Sequence, residues 1–91
     1  MMSSIEILNS MCRLIKENEG ESYWFFRLKK LADNQKIQDD DFRLAIKQLF
    51  GGMGTLNDIA ITDGNGNYPL EANEEFERLK KELRNTLREA I

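Results

Sequence analysis

The sequence predicts a mainly α fold of about four helices, with one short two-stranded β-hairpin or bridge before the last helix. Four stretches carry apolar residues at helical spacing, and three of them follow a Ser or Asp that can cap a helix. A glycine cluster separates the third stretch from the fourth, because five of the six glycines lie between Gly51 and Gly66. The 91 residues are expected to form a single small helical domain, 1–91.

The first two helices are predicted from their caps and their apolar stripes. Ser3 or Ser4 can cap the first helix, and Glu6 follows Ser3 at the spacing of a capping box. Gly20 is expected to end that helix. Ser22 is the expected N-cap of the second helix. The predicted apolar stripe of the first helix is Ile5, Leu8, Cys12 and Ile15, with Met11 and Leu14 beside it.

Four consecutive aromatic residues, Tyr23 to Phe26, open the second helix. Four successive residues cover most of the circumference of a helix, so these rings cannot all face one core. Trp24 is expected on the core side, which leaves at least one of Tyr23 and Phe26 near the surface. A neighbouring loop could cover that ring, or the ring could form a partner or dimer interface, a use that suits exposed aromatics.

The third helix is predicted between an acidic run and the glycines. Asp39 or Asp40 can cap it, and acidic side chains favour the positive end of a helix. Its apolar stripe runs from Phe42 to Leu49 at helical spacing. The helix must stop near Phe50, because the glycines that follow can close its last turn.

The glycine-rich stretch after this helix allows a structural interpretation and a functional one. At least one of Gly51, Gly52 and Gly54 is expected at positive φ, where a Cβ is disfavoured. Asn57 and Asp58 would then bond nearby backbone N–H groups. Alternatively, the stretch is a ligand-binding or enzymatic loop in which Asn57 and Asp58 are the polar groups. Phosphate binding of the P-loop type is disfavoured, because these glycines end a helix and no Lys follows them.

A short hairpin is predicted between the glycines and the last helix. Residues 59–62 are apolar or β-branched, which suits a strand, and residues 63–66 read Asp-Gly-Asn-Gly, a strong turn signal. The expected pairing is Ile59–Ile61 against Tyr68–Leu70, and Pro69 marks an edge.

The last helix is predicted from about Glu71 to the end of the chain. Acidic side chains crowd its first turns and basic ones follow, as the helix macrodipole favours. Its charged positions are expected to face solvent. Its core stripe is Phe76, Leu79, Leu83, Leu87 and Ala90.

One weak metal-binding pattern overlaps the predicted turn. The residues at positions 1, 3, 5 and 12 of a calcium-loop register are Asp63, Asn65, Asn67 and Glu74. Position 6 of such a loop turns sharply and is normally glycine, but here it is Tyr68, with Pro69 next. A strand is predicted where the entering helix is required. The sequence therefore predicts no metal and no cofactor.

Composition argues against several classes of function. The net charge is −3, without a basic patch that would indicate nucleic acid. The chain has no histidine, so the commonest general base and zinc ligand are absent. Cys12 is the only cysteine, which fits a reducing cytoplasm and a buried apolar position. No apolar run is long enough to span a bilayer, and no membrane association is expected.

The stretch from Phe50 to Ile59 resembles the signature of a family of small bacterial proteins of unknown function. In that family a helix ends in Phe-Gly-Gly-Met-Gly, followed by Ser or Thr, an apolar residue, Asn-Asp and a short apolar strand. An aromatic-rich helix lies upstream and a charged helix downstream, as in this chain. The resemblance implies a bacterial, cytoplasmic, helical protein and supplies no catalytic residues.

These observations favour a small protein-binding module, of the immunity or adaptor kind, over an enzyme. The acidic charge, the surplus of aromatics at Tyr23 and Phe26 and the lack of catalytic groups are compatible with it. Two alternatives stay open: a ligand-binding or enzymatic domain that uses residues 51–58, and a structural homodimer.

Overall fold

The computed structural model describes residues 3–33, 39–50, 56 and 59–88. These contain the four predicted helices. They are α1 (Ser4–Glu19), α2 (Tyr23–Asp33), α3 (Asp39–Leu49) and α4 (Leu70–Arg88). The mainly helical prediction is therefore confirmed. The glycine-rich positions Gly51, Gly52 and Gly54 lie outside the described residues, as do Asn57 and Asp58.

Helix α1 begins and ends where its sequence predicts. The backbone N–H of Glu6 donates to Ser3 Oγ at 3.2 Å, which is the N-cap bond. Gly20 follows the last turn at φ +83°, and its N–H donates to the carbonyl of Lys16 at 3.0 Å. Gly20 is thus a position where glycine is needed, because other residues adopt this conformation at a cost.

Helix α2 begins at the predicted residue without the predicted cap. Ser22 lies immediately before α2, and its carbonyl accepts from the N–H of Phe26 at 3.2 Å. Its hydroxyl, however, is buried and has no hydrogen-bond partner in the described part of the chain. The start of α2 is held instead by burial of Phe25 and Leu28 in the core.

The core forms where α1 packs against α2 on one side and α4 on the other. Helix α3 packs more lightly, and it contacts α4 through its apolar stripe. The most deeply buried apolar residues on α1 and α4 are Ile7, Leu8, Met11, Ile15, Phe76, Leu79 and Leu83. Within the described ranges, no helix is long and apolar enough to cross a membrane.

The predicted hairpin is wrong. No strand occurs in the described residues, and Leu70, expected to end the second strand, is the first residue of α4. The predicted turn does form, since the N–H of Gly66 donates to the carbonyl of Asp63 at 3.2 Å and Gly66 lies at φ +84°. Side chains of α1 and α4, not a second strand, pair with the backbone of residues 59–62, as described below.

Candidate functional site

The four aromatic residues of α2 divide between core and surface. Phe25 is buried and Trp24 is half-buried, whereas Tyr23 is 68% exposed and Phe26 is 54% exposed. Each exposed ring meets its neighbour edge to face: Tyr23 lies 5.7 Å from Trp24 and Phe26 lies 5.2 Å from Phe25, between ring centroids. The exposed rings are thus supported by rings that are anchored in the fold.

Basic side chains accompany the exposed rings on the same face of α2. Arg27 and Lys30 follow Tyr23 by four and seven residues, so helical geometry places them beside Tyr23 and Phe26. The guanidinium carbon of Arg27 lies 4.7 Å from the centroid of the Trp24 ring, a cation–π distance. We call Tyr23, Phe26, Arg27 and Lys30 the α2 face.

A cleft of about 190 Å³ opens next to this face. Ile15 and Glu19 of α1 form one wall, Trp24 of α2 and Phe76 of α4 extend it, and residues 59–61 complete it. Trp24 also touches Tyr23. The cleft and the α2 face therefore form one continuous surface.

Asn73 of α4 holds the middle of the 59–62 segment as a neighbouring strand would. Its Oδ1 accepts from the N–H of Ile61 at 2.7 Å, and its Nδ2 donates to the carbonyl of the same residue at 2.9 Å. One amide can reach both groups only if they point to the same side, which is the geometry of extended backbone. Nδ2 also donates to the carbonyl of Pro69 at 2.9 Å, which ties the segment to the start of α4.

Lys80, about two turns after Asn73 on α4, bonds the segment at Ile59. Its side chain is only 1% exposed, and its Nζ donates to the carbonyl of Ile59 at 2.8 Å. Nζ also donates to Glu77 Oε1 at 2.7 Å and lies 5.0 Å from the centroid of the Phe76 ring. A buried ammonium requires such partners, since an unpaired one would be costly.

Glu19, on α1, accepts hydrogen bonds from the opposite side of the segment. Its Oε1 accepts from the N–H of Thr62 at 2.7 Å and from the Thr62 hydroxyl at 3.2 Å. Ile59 and Ile61 are therefore bonded towards α4, while Thr62 is bonded towards α1. This alternation is that of a β-strand, in which successive residues direct their backbone groups to opposite sides.

The calcium-loop residues build the turn that follows. Asp63 Oδ1 accepts from the N–H groups of Asn65 at 2.8 Å and Asn67 at 3.0 Å, and Oδ2 accepts from Asn67 Nδ2 at 3.2 Å. The backbone bonds from Asn67 and Asn65, in that order, hold the pKa of Asp63 below its ordinary value of 3.8. Glu74 lies on α4 and is exposed. Across the described ranges, no group of three or more His, Cys, Asp or Glu side chains is placed to hold a metal ion.

A family comparison covers residues 17–69, which is more than half of the chain. The chain belongs to the family described as Domain of unknown function (DUF6966). The DUF6966 range includes α2, α3, the Phe50–Ile59 stretch, the 59–62 segment and its turn. Comparison with the curated proteins and with the solved structures gave no match. The family description carries no activity, so function must be argued from the surface of this DUF6966 chain.

Cys12 of this DUF6966 chain lies in the core. It is buried, and its thiol contacts the carbonyl of Phe25 at 3.7 Å. Burial raises its pKa from 9.0 to about 11, although the positive charge of Lys29 opposes the change. The thiolate, which is the nucleophilic form, is thereby disfavoured.

Sequence reasoning found the exposed aromatics and missed the three side chains that hold the segment. Lys80 was expected in solvent, yet it lies four residues after Phe76 and three before Leu83, both buried. Asn73 and Glu19 also stand three or four residues from a buried apolar residue of their helices. The sequence signal for these three side chains is a polar residue on the apolar stripe of a helix. Such a residue needs a hydrogen-bond partner when the stripe is buried.

Proposed function

We propose that this chain is a protein-binding module of the bacterial cytosol, of the immunity or adaptor kind. The observation that carries the proposal is the exposure of Tyr23 and Phe26 on α2, beside Arg27. Tyr, Phe and Arg are enriched in protein interfaces, and Tyr and Arg recur among the residues that contribute most binding energy. An immunity protein would use such a face to occupy the surface of a toxin.

Binding, not catalysis, is the activity that the side chains support. The sequence has no histidine, and the only cysteine has a raised pKa in the core. A thiol nucleophile needs an adjacent base or a lowered pKa. The carboxylates of Glu19 and Asp63 are already engaged by backbone N–H groups.

The proposal is tested by capture of partners from a bacterial host on the immobilised 91-residue chain. We expect a protein retained by the native chain to be lost when Tyr23→Ala and Phe26→Ala are combined, because both exposed rings are removed. The matched control is Leu44→Ala on α3, since Leu44 is exposed to the same extent as Phe26, 54%.

Three other outcomes would contradict the proposal. Equal retention by the native chain and the double variant would show that the α2 face is not the interface. Native dimers in sedimentation that become monomers in the double variant would indicate a structural homodimer instead. A small molecule that co-purifies, with no protein, would favour the ligand-binding alternative at residues 51–58.

A further inference from the structure

The 59–62 segment has one backbone residue left open at the cleft. Its odd-numbered residues are bonded to α4: Ile59 through Lys80, and Ile61 through Asn73. Ala60 must therefore direct its N–H and C=O to the other side, as alternate residues of extended backbone do. Ala60 is exposed, and within the described ranges neither of these groups makes a hydrogen bond.

The alternation of the segment directs the open groups of Ala60 towards the cleft, which Ala60 lines. Thr62, two residues on, directs its N–H to the same side as Ala60, and this N–H is bonded to Glu19. Glu19 and Ala60 both line the cleft. The N–H of Thr62 donates to Glu19, so it cannot pair with another chain. Ala60 is therefore the residue on this side of the segment whose backbone can pair.

The size and lining of the cleft indicate what could lie beside Ala60. Its volume is about 190 Å³. Cavities of roughly 150 Å³ accept a benzene ring, whereas pockets for whole small-molecule ligands begin at about 300 Å³. Ile15, Trp24 and Phe76 make its walls apolar. One apolar side chain would therefore fill it.

We propose that the cleft binds an extended segment of a partner protein, which pairs its backbone with Ala60 and places one apolar side chain against Trp24. The paired residue of the partner accepts from the Ala60 N–H and donates to the Ala60 C=O, as in one hydrogen-bonded antiparallel pair. Backbone pairing gives such recognition its affinity and the side-chain site its specificity. The inference rests on the proposed function, since it names the kind of partner segment that this binding module takes.

The rim of the cleft supports a peptide over a free apolar molecule. Glu19 lines the cleft with a carboxylate, and the guanidinium carbon of Arg27 lies 4.7 Å from the centroid of the Trp24 ring in its wall. The partner segment can thus continue past the cleft onto the α2 face, where Tyr23 touches Trp24. A small apolar ligand would leave the N–H and C=O of Ala60 unpaired.

The test uses the 91-residue chain labelled with ¹⁵N and the peptide acetyl-Leu-Ala-Leu-amide. We expect the amide proton of Ala60 to move downfield in a saturable way as it gains an acceptor, and the indole signal of Trp24 to move with it. The matched control is the same peptide N-methylated at all three residues. It keeps the side chains and carbonyls but loses the backbone N–H donors of its three residues, so its affinity should fall about tenfold or more.

Three outcomes overturn the inference. Equal binding of both peptides with movement of Trp24 alone would show an apolar cleft without backbone pairing. No change at millimolar peptide would show that the cleft takes no such segment. A native partner that depends on Tyr23 and Phe26 but leaves the Ala60 amide unchanged would also overturn it, while the proposed function survives. A fourth outcome separates the two proposals. If the peptide pairs with Ala60 but partner capture does not depend on Tyr23 and Phe26, the inference stands and the α2 face is not the interface.

Discussion

At the scale of single residues, Cys12 couples the stability of the fold to pH. Its thiol is buried, and burial raises its pKa from 9.0 to about 11. Between these values the unfolded chain releases the thiol proton while the native chain retains it. Fewer protons are then bound in the unfolded state, so the free energy of unfolding falls as pH rises.

We therefore expect Cys12 to lower the free energy of unfolding progressively from about pH 9 to pH 11. The change of pKa corresponds to about 2–3 kcal/mol over this range. Denaturant unfolding at several pH values checks it, with Cys12→Ala for comparison because this variant keeps every other titrating group. The free energy of the native chain should fall more steeply than that of the variant. Parallel curves would show that Cys12 does not titrate on unfolding.

At the scale of elements, the side chain of Asn73 makes three hydrogen bonds, two of which link α4 to the 59–62 segment. Two of them satisfy the N–H and C=O of Ile61, a buried residue, and the third reaches Pro69. Removal of the amide leaves both groups of Ile61 without that partner. An unsatisfied buried polar group costs about 1–3 kcal/mol.

Asn73→Ala should therefore lower the free energy of unfolding by about 2–4 kcal/mol. Equilibrium denaturation in urea measures this loss. Asn85→Ala is the matched control, because Asn85 is an exposed Asn on the same helix and such surface changes stay within about 0.5 kcal/mol. A loss at Asn73 no larger than at Asn85 would mean that water replaces the amide and that Asn73 does not hold the segment.

The helices were predictable from the sequence because their signals are local. Ser3 and Glu6 stand three residues apart, and Gly20 directly follows the turn that it closes. The apolar stripe of α4 likewise repeats within one element, so its buried face could be read from spacing. These signals predict where each helix begins and ends and which of its faces is apolar.

The candidate site was predictable only in part, because its bonds join distant residues. Glu19 and Thr62 are 43 residues apart, and Lys80 and Ile59 are 21 apart. Residues 59–62 are predicted from sequence as a strand paired with a second strand, but no strand occurs in the described residues, and side chains of α1 and α4 bond this backbone instead. Side-chain amide, ammonium and carboxylate groups satisfy a backbone as well as a strand does. The local sequence pattern does not distinguish a segment that pairs with a second strand from one that is bonded by side chains.

At the scale of the whole molecule, the fold extends beyond the part that defines its family. Helix α4 and most of α1 lie outside residues 17–69. More than half of the buried apolar residues in the described ranges belong to these outer parts. They are Ile7, Leu8, Met11, Cys12, Ile15, Phe76, Leu79 and Leu83. Asn73 and Lys80, which hold the 59–62 segment, also lie outside.

Residues 17–69 expressed alone should therefore fail to fold. A chain this short buries only about 60% of its unfolded surface even when its core is complete, so loss of most core partners leaves little to offset conformational entropy. Far-UV circular dichroism should show a weak helical signal without a cooperative thermal transition. Residues 3–88 are the matched control, because they keep every buried apolar residue named above, and this chain should melt like the 91-residue protein. A cooperative transition in the 17–69 fragment would instead show that the family range is a folding unit by itself, to which the outer helices are additions.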